Sequence, residues 1–125
     1  MFTDSDVIHR YTRAEAIEDG ALVDVSGLAR EAGFTFPVAM TRAAFERTVS
    51  VPKGLEGWQD ETGRLWDVLY VGKCAAKRSG GTSELTYQVR VQVGINRARN
   101  ITLEMHCGPG DEGEGVITIM LPTED

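Results

Sequence analysis

The sequence is poor in the side chains that most protein chemistry depends on. Among 125 residues there are two cysteines, Cys74 and Cys107, and two histidines, His9 and His106. Two cysteines are too few for the disulfide framework of a small secreted protein. No apolar run approaches the ~18 residues of a membrane span, and the first residues lack the basic-then-apolar pattern of a secretory signal. The expected location is therefore the reducing cytoplasm, away from membranes. Charge of one sign is locally missing too. Residues 104–125 carry six acids and no base, whereas residues 71–103 carry six bases against the single acid Glu84. With twelve acids and seven bases in residues 1–70, the net charge is −6. That balance argues against binding a phosphate backbone, which needs clustered Lys and Arg. It suits a protein partner with a basic surface, towards which acidic flanks steer association.

What is present fits a folded chain. Apolar residues make up 42% and charged residues 26%, proportions of a globular protein rather than a disordered one. The length suits a single domain over 1–125, with the polar residues 1–10 loosely held. Thr12 and Glu15 form a capping box ahead of a first helix, with Ala14, Ile17 and Tyr11 on its apolar side and Gly20 at its end. Ala21 to Val25 reads as a short strand. Ser26 caps a second short helix that Gly33 stops. Phe34 to Met40 is extended, and Pro37 marks a strand start or an edge. Thr41 caps a third helix over 42–48, with Ala44 and Phe45 inward.

A loop over 52–63 leads to the longest helix, about Glu61 to Lys77. Leu65, Trp66, Val68, Leu69, Gly72, Cys74, Ala75 and Ala76 recur there at helical spacing, and Trp66 is expected in the core. Gly72 costs this helix roughly 1 kcal/mol unless something packs closely against it. The last third alternates with period two: Leu85, Tyr87, Val89, Val91 and Val93, then Ile101, Leu103, Met105 and Cys107, then Val116 to Leu121. A turn over 94–99 and an acidic loop over 108–115 separate these strands. The fold class is therefore α+β: a three-stranded antiparallel C-terminal meander packed on one long helix, preceded by short helices and strands.

Several constellations could carry function. The 108–115 loop holds Asp111, Glu112 and Glu114 among glycines. It lacks the calcium-loop spacing and the helix that follows a phosphate loop, so it reads as an exposed hairpin loop or a partner contact. His106, Cys107, Cys74 and His9 lack zinc-ligand spacing, and neighbours on a strand point to opposite faces. Cys107 then reads as a small core hydrophobe. Asp60 and Glu61 are either helix N-terminal charges or paired acid–base carboxylates. Trp58, in a polar loop, is either a lid over the core or a contact residue of an interface. Arg90 lies on the polar sheet face with Arg97 and Arg99 near the turn. No aromatic platform accompanies them, because Tyr87 falls on the inward set. No metal or cofactor is implied.

The blocks Tyr11 to Gly20, Leu22 to Ser26, Ala29 to Gly33, Pro37 to Ala39, Gln59 to Leu69, Cys107 to Asp111 and Val116 to Pro122 together resemble a family of small uncharacterised proteins. That family is catalogued as a domain of unknown function and is frequent in bacteria, plasmids and phages. It offers no catalytic residue to carry over. Its mobile-element setting implies a role against host defence or in plasmid upkeep. The leading expectation is a non-enzymatic binding protein, most concretely an anti-CRISPR-like inhibitor docking on a nucleic-acid-handling complex. Its binding candidates are Trp58, Asp60, Glu61, Asp111, Glu112, Glu114 and Arg90. One alternative is a small hydrolase or transferase in which Asp111, His106 and Asp60 converge. The other is a homodimer or assembly subunit formed through the strand over 85–93.

Overall fold

The computed structural model describes residues 11–124; the reading of 1–10 as loosely held, and His9, lie outside the described residues. Among the described residues, four helices and five strands follow in order. They are α1 (Arg13–Asp19), β1 (Leu22–Asp24), α2 (Ser26–Glu31), β2 (Val38–Thr41), α3 (Arg42–Thr48), α4 (Glu61–Arg78), β3 (Glu84–Gly94), β4 (Arg97–Pro109) and β5 (Gly115–Met120).

The short elements are set by their ends. Thr12 and Glu15 form the capping box of α1, and Gly20 closes it at φ 85°, in the left-handed region that glycine enters without strain. Of the expected apolar side of α1, Ile17 is half-buried while Ala14 and Tyr11 are exposed, and the residue that is fully buried is Ala16. The Tyr11 hydroxyl instead donates to Asp19 Oδ2 at 3.0 Å. Ser26 is not the cap of α2 but its first residue; the cap position is Val25, which offers no side-chain bond. Its Oγ donates to Asp24 Oδ1 at 2.6 Å and accepts from Val38 N at 3.0 Å, joining the start of α2 to β2. Thr41 caps α3 by accepting from Ala44 N.

The strands form one sheet in the order β1-β2-β5-β4-β3. β3, β4 and β5 are the expected antiparallel meander. They are part of a larger mixed sheet, because β5 also pairs in parallel with β2, and β2 pairs antiparallel with β1. Pro37 thus precedes an interior strand. Its carbonyl accepts from Ile117 N at 2.9 Å, a bond that needs no donor from proline. The strand connections are tighter than the sequence suggests. Gly94 pairs with Arg97 across Ile95 and Asn96, with Asn96 at φ 56°. The acidic loop shrinks to 110–114 because Pro109 and Gly115 are already paired.

One face of the sheet carries Val38, Met40, Tyr87, Val89, Val91, Ile101, Leu103, Met105, Ile117 and Ile119. These form a single apolar cluster with Ala29 of α2, Ala44 of α3, and Val68 and Leu69 of α4. α4 lies against β3 at Gly72, where a Cβ would come within 2.9 Å of Met105 Cε and Tyr87 Oη. The close packing that would justify a glycine in mid-helix is thus present. α1 lies on the other face. There the Arg13 guanidinium donates to Thr118 Oγ1 at 2.6 Å and to the Ile117 carbonyl at 2.7 Å.

Candidate functional site

Trp66 is a surface residue, not a core one. It is 37% exposed, and its ring stacks on that of Tyr70, itself 52% exposed, with centroids 6.0 Å apart. The core stripe of α4 is Leu65, Val68, Leu69 and Gly72, spaced three and four apart. Trp66 and Tyr70 make an i, i+4 pair on the flank of that stripe. Strict helical spacing was the signal that separated them from the core set.

The residue buried in their stead is Arg64, 7% exposed. Its Nε donates to the Val49 carbonyl at 3.1 Å, and its Nη1 to the Gln92 carbonyl at 2.8 Å and to Gln59 Oε1. One guanidinium thereby joins the end of α3, the 52–60 loop, α4 and the edge of the sheet. Burial pushes its pKa below the ordinary arginine value, and Asp67 opposes that shift. No sequence pattern marks this arginine as internal. Two of its three partners are backbone carbonyls, which carry no sequence signature.

Asp60 caps α4, accepting from Gly63 N at 2.7 Å, and Glu61 adds a second carboxylate to the first turn. The preceding loop is pinned by Leu55, which is 4% exposed and whose carbonyl accepts from Trp58 N and Gln59 N. That turn leaves Trp58 83% exposed, which excludes the lid reading. Trp58 and Trp66 line a cleft of about 550 Å³ with Leu28, Asp60 and Asp67. A smaller cavity of about 220 Å³ adjoins it, shares Gln59, Arg64 and Asp67, and reaches Arg90. Trp58 and Asp60 therefore border one cleft, whereas the exposed Arg90 alternates with the buried Val89 and Val91 and projects from the opposite face of the sheet.

The remaining candidates lie elsewhere. Asp111 Oδ1 and Oδ2 accept from the backbone N–H groups of Arg13 and Ala14 at 2.7 and 3.0 Å, so the acidic loop closes the start of α1. Glu114 turns back on its own loop, where its carboxylate accepts from Glu112 N at 2.9 Å. Asp111 and Glu114 face a cavity beside Arg13 and Asp24. His106 sits on the outer sheet face, 3.1 Å from Glu104 and 3.9 Å from Glu84. Asp111, His106 and Asp60 thus have three different surroundings. Cys107 is half-buried and lines an apolar recess with Phe34 and Lys73. Among the described residues, no three His, Cys, Asp or Glu side chains are grouped as metal ligands, and no helix is long and apolar enough to cross a membrane.

The geometry offers stacked aromatic surface beside carboxylates on a well-anchored helix. No curated protein and no solved structure matches the chain. Residues 1–125 do match a family of unknown function from end to end, and the chain belongs to that family, DUF6573.

Proposed function

We propose that this chain is a non-enzymatic binding protein acting in the cytoplasm, and that it docks on a basic protein through the first half of α4. The observation that carries the reading is the pair Trp58 and Trp66, exposed around a cleft bordered by Asp60 and Asp67, with the exposed Tyr70 stacked on Trp66. Three large aromatics outside the core lack any packing duty that would explain their exposure, and grouped exposed aromatics mark interfaces. Their carboxylate neighbours favour Lys and Arg on the partner, which stack on indole and phenol faces. The site is held in shape by Arg64 and by the Asp60 cap, so little ordering is lost on binding.

In its concrete form the partner is a nucleic-acid-handling defence complex. Its surface is basic because it holds phosphates, and a chain of net charge −6 competes for such a surface. The mobile-element setting of the family the sequence resembles supports that choice.

The test is capture from bacterial lysates on the immobilised chain, at low and at high salt, beside a Trp58→Ala/Trp66→Ala variant. The expected result is retention of a basic nucleic-acid-binding complex that weakens with salt and is lost with the two indoles. Capture of no such complex at any salt, or capture indifferent to the indoles, overturns the reading.

A further inference from the structure

β3 ends the sheet, paired on one side with β4. Cys107 N donates to the Ser83 carbonyl at 2.7 Å, so the odd residues of this strand direct their backbone groups at β4. The even residues direct theirs outward, as the Gln92 carbonyl does in accepting from Arg64. Among the described residues, the outward backbone groups of Glu84, Thr86, Gln88 and Arg90 have no partner. The strand from Leu85 to Val93 holds neither Pro nor Lys, which natural edge strands use to prevent pairing. Arg64 on Gln92 and the register shift between Gln92 and Gly94 close its far end. The open run is therefore Glu84 to Arg90, and its midpoint is Tyr87.

That run is complementary to itself. Antiparallel pairing about a two-fold axis at Tyr87 sets Glu84 opposite Arg90, Leu85 opposite Val89 and Thr86 opposite Gln88. Glu84 and Arg90 both project from the polar face, and both are exposed. The symmetry makes the charge pair twice. Centring the pairing one residue to either side loses both charge pairs, and centring it on Gln88 also calls on Gln92, whose carbonyl Arg64 holds. On the other face, Leu85 meets its counterpart's Val89, and a recess lined by Val71, Ala75 and Leu85 is covered. We infer that β3 pairs with β3 of a second copy of this chain, antiparallel and centred on Tyr87, joining two five-stranded sheets into one.

Sedimentation equilibrium and light scattering on the full chain test this. A concentration-dependent dimer is expected. Glu84→Arg and Arg90→Glu each place like charges opposite one another twice, and each raises the dimer dissociation constant about tenfold or more. The double variant exchanges the two signs and returns it to within about threefold of the original. Gln88→Pro removes an outward N–H but no bond to β4, so it gives a monomer with an unchanged circular dichroism spectrum. A chain that stays monomeric up to about millimolar concentration overturns the inference. So does a dimer indifferent to the single charge changes, or one that the double variant does not restore.

Discussion

Tyr87 shows how one side chain ties the helix layer to the sheet. It is 6% exposed, and its hydroxyl donates to the Val68 carbonyl in α4 at 3.2 Å. Burial pushes its pKa up from the ordinary value of 10.0. A buried phenol holds its proton more tightly folded than unfolded, so the folded state binds more protons once pH passes about 10. The resulting contribution to stability is complete below that pH and falls as pH rises above it. Tyr87→Phe should remove this part of the alkaline loss, and urea unfolding of both proteins between pH 8 and about 11 would measure it. Gly72 is the matching position on the helix. Alanine there gains about 1 kcal/mol of helix propensity, but its Cβ would stand 2.9 Å from Tyr87 Oη and Met105 Cε. The methionine can turn aside, whereas the phenol is fixed by its hydrogen bond. Gly72→Ala should therefore lose about 1–2 kcal/mol in denaturant unfolding.

At the scale of elements, the N-terminal half depends on supports from far along the chain. α1 runs only from Arg13 to Asp19, too short to be stable in isolation. Its own capping box satisfies part of its first turn, and Asp111, from the β4–β5 loop, accepts from two more of its N–H groups. Asp111→Ala should cost about 1 kcal/mol and loosen α1 selectively. Hydrogen exchange would show faster amides in 13–19, with those of β4 and β5 unchanged. The acidic loop, which looked like a site by composition, is thereby used inside the fold. Its carboxylate meets helix N–H groups that lie about a hundred positions earlier in the chain, a meeting no local pattern announces.

At the scale of the molecule, β5 is the joint. It lies between β2 and β4, and both of its faces are buried: Val116 at 5% on one side, Ile117 at 9% and Ile119 at 0% on the other. The β1-β2 pair has no other connection to the meander within the sheet. Removing residues 115–125 should therefore unfold the chain rather than trim an edge. Loss of the cooperative thermal transition would confirm it, and a folded remainder with β3 and β4 intact would contradict it. The parallel β2–β5 pairing joins segments more than seventy residues apart. Closing such a loop is slow, so this sheet should assemble late in folding.

Some of this molecule was legible in residue order alone. The period-two strands, the capping of α1 and α3 by Thr12 and Thr41, and the extent of α4 follow from local sterics and hydrogen bonding, which act between near neighbours. Trp58 could be picked out because a tryptophan in a polar loop is conspicuous, and Asp60 because acids at the start of an apolar helix favour its dipole. The tertiary structure alone decided the rest. It joined β2 to β5, took Arg64 inside to hold two backbone carbonyls, and left β3 at the sheet edge. These outcomes depend on which backbone groups meet across long stretches of chain. Every residue but proline carries the same backbone groups, so the side-chain pattern does not say which of them will meet.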